Sequence, residues 1–298
     1  MKRMKGIITG LALVIGYISC AQKAEDNKPS EKAQQSYQKH SPTRHHQTAL
    51  EVLDASEKWI EAFNKGNVEA CVKGYDANAT MSAIPFGVKK GTKEISEFWT
   101  PFIASGATNL IYTNVSVEVV NETTAFLSAN WSMNVGKGVI YQEKWEKKKG
   151  QWLLTYDNFQ VLEQYKTPKE NKTNPVASHI VLENIIKASI AWTNSFNSGK
   201  GTVCGQGYSK NATMNAMPFA SINGQEGIEG FWEKLIADGA KNLTYHNPTF
   251  KALTNNSGIL SSMWSMNIGE GKIYQEKWEN VEGKWMLTYD EFEVLRQY

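Results

Sequence analysis

The stretch Ile140-Tyr-Gln-Glu-Lys-Trp-Glu146 decides how the rest of the chain is interpreted, because it occurs again without change at Ile273–Glu279. Its side chains alternate with the period of two that is typical of a β-strand. This period places Tyr141, Glu143 and Trp145 on one face of the predicted strand. The two copies lie 133 residues apart, which indicates that the chain contains an internal repeat.

Each copy of this stretch continues into a turn that ends in glycine and then into a second alternating run. The second runs are Gly150-Gln-Trp-Leu-Leu-Thr-Tyr-Asp157 and Gly283-Lys-Trp-Met-Leu-Thr-Tyr-Asp290. Two alternating runs around a glycine turn predict a β-hairpin in each copy. Residues 48–165 align with residues 181–298 without a gap, and 54 of the 118 positions are identical. The sequence therefore predicts two tandem domains, at residues 48–165 and 180–298, joined by a polar linker at residues 166–179.

The first 47 residues differ in composition from the two repeats. Lys2, Arg3 and Lys5 precede a short apolar run, which is typical of a secretory signal peptide over residues 1–19. The segment Tyr17-Ile-Ser-Cys20 resembles a bacterial lipobox, which implies a lipid on Cys20; ordinary cleavage after Ala21 is the alternative. Residues 20–47 are polar and predict a flexible tether.

The order of predicted elements is the same in both repeats. A helix ending in glycine, a shorter helix, a strand and a third helix precede four strand-like runs. This order is typical of the α+β class. Each repeat is predicted to be a cone-shaped domain in which a curved antiparallel or mixed sheet wraps over three helices. Cys71 and Cys204 occupy equivalent positions, and we expect two separate buried thiols rather than a disulfide.

Several motifs of each repeat resemble the nuclear transport factor 2-like superfamily, and its SnoaL-like branch in particular. In the first repeat they are Tyr75, Asn78-Ala-Thr80, Pro85-Phe86, Phe98-Trp99 and Gly150-Gln-Trp152. The resemblance covers both repeats and implies the cone-shaped fold. The superfamily includes isomerases, dehydratases, epoxide hydrolases and non-catalytic binding proteins, so the resemblance does not by itself choose a function.

The catalytic residues of those enzymes are not retained here. By the resemblance, the ketosteroid isomerase base falls at Ile84 and Met217, which cannot accept a proton, whereas Tyr141 and Tyr274 retain a hydrogen-bond donor. Dehydratases of the superfamily use histidine. We assign His40, His45 and His46 to the tether and His179 to the linker, so that only His246 lies within a repeat. The epoxide hydrolases need an arginine beside paired carboxylates, and no arginine lies in a suitable position.

What remains is a polar and aromatic set that recurs in both repeats. Two carboxyl groups in an apolar pocket can differ in pKa and act as acid and base, so the candidate catalytic residues are Glu143, Asp157, Tyr141, Glu276, Asp290 and Tyr274. Tryptophan and methionine side chains are expected to form the wall of a small-molecule pocket around them. The expected pocket residues are Trp59, Met81, Trp99, Trp131, Tyr141, Glu143 and Asp157, with Trp192, Met214, Trp232, Trp264, Tyr274, Glu276 and Asp290 as their twins.

From these residues we expect an exported, lipid-anchored protein of the bacterial cell envelope, at the outer rather than the inner membrane, that binds a small and largely apolar molecule. The alternatives are an isomerase or lyase that uses Glu143 and Asp157, and a structural pseudo-dimer that presents a surface to a protein partner. We expect no cofactor and no metal. The near balance of 32 basic and 30 acidic residues argues against nucleic-acid binding.

We also expect the two repeats to form an intramolecular pseudo-dimer by packing sheet against sheet. The outward-facing residues Gln142, Lys144 and Glu146 would then meet their counterparts Gln275, Lys277 and Glu279.

Overall fold

The computed structural model describes residues 41–298, which form one compact unit. The predicted signal peptide at residues 1–19, the lipidation site Cys20 and most of the predicted tether lie outside the described residues. Within residues 41–298, no helix is both long enough and apolar enough to cross a membrane.

The two repeats contain the same elements in the same order. The helices of the first repeat are α1 (Arg44–Asn64), α2 (Val68–Lys73) and α3 (Gly91–Ala104), and its strands are β1 (Tyr75–Ile84), β2 (Gly87–Lys90), β3 (Ile111–Asn121), β4 (Thr124–Met133), β5 (Gly136–Lys148) and β6 (Gln151–Gln164). The helices of the second repeat are α4 (Ala177–Asn197), α5 (Gly201–Gln206) and α6 (Gln225–Ala237), and its strands are β7 (Tyr208–Met217), β8 (Ala220–Asn223), β9 (Thr244–Thr254), β10 (Ser257–Met266), β11 (Gly269–Val281) and β12 (Lys284–Gln297).

The first helix of each repeat begins earlier than the sequence predicts. In α1 the buried side chains recur every three or four residues from His46 to Phe63, which is the pattern of a helix that packs one face against a core. His46 and its equivalent His179 are fully buried within α1 and α4. The assignment of these two histidines to the tether and the linker was therefore wrong. The residues around His46 are polar, so the apolar spacing that predicts a helix is absent where the helix begins.

The twelve strands within residues 41–298 form one mixed sheet in the order β2-β1-β6-β5-β4-β3-β9-β10-β11-β12-β7-β8. The first strand of each repeat runs parallel to the last, and the other neighbouring strands are antiparallel. The chain is thus α+β with two tandem copies of one architecture, as the sequence predicts. Cys71 and Cys204 are buried free thiols, which confirms the prediction of two separate cysteines.

The two half-sheets join edge to edge through β3 and β9, which pair antiparallel. Val117 lies opposite Phe250, and these two residues are equivalent positions of the repeats. A pseudo-twofold axis therefore passes through this pair, as in an isologous dimer interface. The edge-to-edge pairing also satisfies backbone groups that two free strand edges would leave unpaired.

The repeats thus form an intramolecular pseudo-dimer, but the predicted packing of sheet against sheet is wrong. Four strands, β4, β3, β9 and β10, lie between β5 and β11 in the sheet. The outward-facing residues of the repeated heptapeptide are therefore not the junction between the repeats. Lys144 instead forms an ion pair with Glu146 of its own strand at 3.0 Å, and Lys277 does the same with Glu279.

Candidate functional site

The hairpin of β5 and β6 brings two acidic side chains together in the interior of the first repeat. Glu143 lies opposite Asp157 in the register of the two strands, and Asp157 lies opposite Met81 of β1. Glu143 is 3% exposed and Asp157 is 5% exposed. Glu276, Asp290 and Met214 form the same arrangement in the second repeat.

Neutral donors, not basic side chains, hold the two carboxyl groups of the first repeat. Tyr112 Oη donates to Glu143 Oε1 at 2.9 Å, and Trp145 Nε1 donates to Glu143 Oε2 at 2.9 Å. Tyr75 Oη donates to Asp157 Oδ2 at 2.7 Å. Both oxygens of Glu143 are thus satisfied, whereas Asp157 Oδ1 accepts no hydrogen bond from the described part of the chain.

The second repeat reproduces these contacts closely. Tyr245 Oη donates to Glu276 Oε1 at 2.6 Å, and Trp278 Nε1 donates to Glu276 Oε2 at 3.0 Å. Tyr208 Oη donates to Asp290 Oδ2 at 2.6 Å, and the buried Oδ1 atom of that aspartate has no hydrogen-bond partner among the described residues. Because the same donors bind the same carboxyl atoms in both repeats, these hydrogen bonds are a shared feature of the two folded repeats.

Burial dominates the electrostatics of the carboxyl pair. It raises the pKa of Glu143, and the nearby charge of Asp157 raises it further. Burial also raises the pKa of Asp157, against the opposing effect of the hydrogen bond from Tyr75. Because two neighbouring carboxylates repel each other and neither has a basic partner within residues 41–298, the pair holds a proton to a higher pH than exposed carboxyl groups do.

A cavity of about 370 Å³ lies between the helices and the sheet of the first repeat. Of the nineteen described residues that line it, ten are aromatic and none is Lys, Arg or His. Asp157 is the one acidic residue in the lining. The aromatic residues are Trp59, Phe63, Phe86, Phe98, Trp99, Phe102, Tyr112, Trp131, Phe159 and Tyr165.

The structure brings some of the predicted pocket residues to this cavity and places others elsewhere. Trp59, Trp99, Trp131 and Asp157 line it. Met81 and Glu143 are buried close by, but neither is among the lining residues. Glu143 lies behind the wall and contacts it through Tyr112, which does line the cavity.

The predicted inward orientation of Tyr141 and Tyr274 is wrong. Tyr141 is 52% exposed, and its hydroxyl donates to Gln160 on the surface at 2.5 Å. The register of β5 against β6 shifts between Ile140 and Gln142, which marks a β-bulge. One extra residue in a strand reverses the alternation of its side chains. Tyr141 therefore points outward while Ile140 and Glu143 both point inward, and the same shift at Ile273 and Gln275 exposes Tyr274.

The predicted twin residues of the second repeat also pack together. The rings of Trp192 and Trp232 lie 5.0 Å apart, and Trp232 Nε1 donates to Tyr208 Oη at 3.2 Å. Trp264 and Trp232 both contact the ring of Phe292. Sixteen of the nineteen lining positions are identical in the two repeats; the pairs that differ are Phe102 and Leu235, Ser105 and Asp238, and Val135 and Ile268.

Two tyrosines in each repeat are parts of the site that the sequence analysis missed. Tyr75 and Tyr112 recur as Tyr208 and Tyr245 at the repeat offset. That recurrence was an available signal, because the sequence conserves tyrosine at both positions between the repeats. The linear sequence does not show that either hydroxyl donates to a carboxyl group on another strand.

The two buried histidines connect each site to the opposite repeat. The ring of His179 in α4 lies 6.0 Å from the ring of Tyr112, which binds Glu143. The ring of His46 in α1 lies 5.2 Å from the ring of Tyr245, which binds Glu276. Each tyrosine–glutamate pair is thus packed against a side chain from the other half of the chain.

Among the described residues, His246 and the potential metal ligands do not form a further candidate site. His246 is half-buried, with Nε2 2.8 Å from the hydroxyl of Ser265. In the part of the chain that the structure describes, no three or more His, Cys, Asp or Glu side chains are grouped as metal ligands.

Comparison with known proteins finds solved structures that are similar to parts of this chain. No family model matches the chain, and no curated protein matches it. A protein of unknown function with a cystatin-like fold from Nostoc punctiforme is 16% identical, and the match covers 38% of this chain and 89% of that one with a TM-score of 0.34. An NTF-2 like protein from Shewanella oneidensis is 18% identical, with 37% and 96% covered and a TM-score of 0.34.

A ketosteroid isomerase-like protein from Erwinia carotovora atroseptica is 13% identical, with 37% of this chain and 92% of that chain covered and a TM-score of 0.33. Each of these similarities spans about the length of one repeat. The descriptions of these three structures name a cystatin-like fold, an NTF-2 like protein and a ketosteroid isomerase-like protein. The two-copy architecture itself follows from the strands and helices of this chain.

Proposed function

We propose that this chain is a small-molecule-binding protein and that its ligand occupies the cavity of the first repeat. The observation that carries the proposal is the composition of the cavity wall, in which apolar aromatic rings surround a single buried carboxyl group. A concave, largely apolar site with a few polar groups is the usual form of a small-molecule site. The volume of about 370 Å³ suits a molecule of one or two rings.

The arrangement of the carboxyl groups favours binding over the alternative of an isomerase or lyase. An acid–base mechanism on Glu143 and Asp157 needs both groups within reach of the substrate. Glu143 has both oxygens occupied by Tyr112 and Trp145 and is not part of the lining. We therefore assign Glu143 to the support of the wall and Asp157 to ligand contact. A purely structural pseudo-dimer would have no need of an open aromatic cavity.

A titration of the protein with a panel of one- and two-ring apolar compounds tests the proposal by calorimetry. Phe86 lines the cavity and is 46% exposed, so Phe86→Ala removes a wall contact at little cost to the fold. We expect it to weaken binding about tenfold, which corresponds to the loss of roughly 1.4 kcal/mol of apolar contact. Tyr141→Ala, which removes an exposed aromatic ring outside the lining, is the matched control and should leave the affinity unchanged. Equal effects of both variants, or no binding by any compound, would contradict the proposal.

We further propose that the protein is exported and lipid-anchored at Cys20 in the bacterial cell envelope. The basic residues at positions 2, 3 and 5, the apolar run that follows and Ser19-Cys20 support this. Cys20→Ala should move the protein from the membrane fraction to the soluble fraction. If both forms fractionate as soluble proteins, the anchor is wrong.

A further inference from the structure

The carboxyl pair of the first repeat is buried without a compensating positive charge. Its three hydrogen-bond donors, Tyr75, Tyr112 and Trp145, are all neutral. Among residues 41–298, no Lys, Arg or His forms an ion pair with Glu143 or Asp157. Burial of a charge is costly unless an opposite charge or a full set of hydrogen bonds compensates it. The protein thus leaves negative charge in its interior unbalanced.

The unbalanced charge is accessible from the cavity at one atom. Glu143 makes its full complement of contacts behind the wall, whereas Asp157 lines the cavity. Asp157 Oδ2 accepts the hydrogen bond from Tyr75, and Oδ1 has no donor in the described part of the protein. A ligand in the cavity can therefore reach an unpartnered oxygen of a side chain that is 95% buried.

The rest of the wall favours positive charge as well. The face of an aromatic ring carries a negative quadrupole and attracts cations, most strongly in tryptophan. Trp59 and Trp99 lie with ring centres 5.5 Å apart in an edge arrangement, and Trp99 and Phe159 stack at 5.8 Å. A neutral ligand would gain contact with these rings and can donate a hydrogen bond to Asp157, but it leaves the negative charge uncompensated, and an anionic ligand would be repelled.

We propose that the ligand of this cavity is an apolar organic cation, a protonated or quaternary amine that Asp157 and the surrounding aromatic rings hold together. This inference rests on the proposed binding function and adds the chemical class of the ligand to it. The cation supplies the charge that the interior lacks, and the apolar remainder of the molecule fills the aromatic wall. Because the cation stabilises the ionised carboxyl pair, its binding also displaces the proton that the pair holds.

A pair of ligands of nearly the same shape separates charge from size. Naphthylmethylamine is a cation at neutral pH, and naphthylmethanol is its uncharged counterpart. We expect calorimetry to show the amine binding more tightly than the alcohol by about tenfold or more. Titrations in two buffers of different ionisation enthalpy should show proton release on binding of the amine and none on binding of the alcohol.

Substitution of the carboxyl group tests the assigned contact. Asp157→Asn keeps the size of the side chain and an oxygen for Tyr75 but removes the charge, so the preference for the amine should disappear while the alcohol binds as before. Asp54→Asn, on the exposed face of α1, is the control and should behave as the wild type. Equal affinities of the two ligands for the wild type would overturn the inference and leave the binding function intact. Failure of both ligands to bind would contradict the binding function as well.

Discussion

The Nε2 atom of His46 lies 3.0 Å from the hydroxyl oxygen of Ser189, across the boundary between the two repeats. The same contact recurs with the repeats exchanged, between His179 Nε2 and the hydroxyl of Ser56 at 3.0 Å. These reciprocal contacts lie between α1 and α4 and complement the pairing of β3 with β9. Each histidine also packs against the tyrosine that binds the buried glutamate of the opposite repeat. These two histidines therefore connect the contacts between the repeats directly to the two carboxyl sites.

The burial of these histidines predicts a specific dependence of stability on pH. Burial lowers the pKa of His46 to about 3, with a smaller contribution from the charge of His45, and burial lowers that of His179 to about 3. A lowered pKa in the folded state means that the stabilisation is fully present above pH 6.5 and is lost as the pH falls from there toward 3. As the pH falls from 7 to 5, the titration of each histidine should lower the unfolding free energy of the wild type by about 2 kcal/mol.

The comparison that isolates this effect uses the double variant His46→Gln, His179→Gln. Because glutamine does not titrate, the difference in unfolding free energy between wild type and variant should fall by about 4 kcal/mol over that range, whatever its value at pH 7. Denaturant unfolding at several pH values measures it. Parallel pH profiles of the two proteins would show that these histidines titrate normally in the folded state.

The hydrogen bond of Tyr112 to Glu143 predicts a difference between two tyrosine substitutions. Tyr112→Phe removes the only donor that residues 41–298 supply to Glu143 Oε1, a buried carboxyl oxygen, and should lower the unfolding free energy by about 1–3 kcal/mol. Tyr141→Phe removes a hydroxyl of the same type from the surface, where water replaces it, and should cost less than about 0.5 kcal/mol. Urea denaturation of both variants is the measurement. Similar losses in the two variants would argue against a structural role for the Tyr112 hydroxyl.

The close contact around Gly138 predicts that this position tolerates no side chain. A Cβ atom there would lie 1.9 Å from the carbonyl oxygen of Gln160 and 2.5 Å from Cζ2 of Trp131, which lines the cavity. Gly138→Ala should therefore destabilise the protein by about 3 kcal/mol or more. Gly230→Ala, within α6, has open space around the new methyl group and should stabilise the protein by about 0.5–1 kcal/mol. Thermal unfolding of the two variants measures both changes, and a mild effect at Gly138 would mean that the wall around Trp131 is loosely packed.

The sequence predicted the two repeats and the order of their elements. These features follow from local patterns, namely a duplicated heptapeptide, alternating side chains and glycine turns. The family resemblance implied that Glu143 and Asp157 face one pocket, but the hairpin alone does not pair them. The register that begins at the turn would place Glu143 opposite Tyr156, and the shift between Lys144 and Trp145 brings it opposite Asp157 instead.

The errors arose where a local pattern is interrupted or where distant segments meet. The bulge at Tyr141 changes the facing of one residue, and alternation alone gives no sign of it. The helix around His46 begins in a polar stretch, because its buried face contacts the other repeat and not its own core alone. The pairing of β3 with β9 joins strand edges of two different repeats, and no local sequence pattern relates them.

The most direct test of the central claim, that the cavity of the first repeat holds a small molecule, uses the tryptophans as reporters. The indole N–H groups give separate signals in nitrogen-15 NMR spectra, and single Trp→Phe variants assign them. On titration with naphthylmethylamine, the account predicts that the signals of Trp59, Trp99 and Trp131 move, since these rings line the cavity. Trp152 does not line the cavity, and its Nε1 donates to Glu51 Oε2 at 2.9 Å. Its signal should therefore stay in place. Unchanged signals from all three wall residues, or equal movement of Trp152, would contradict the account.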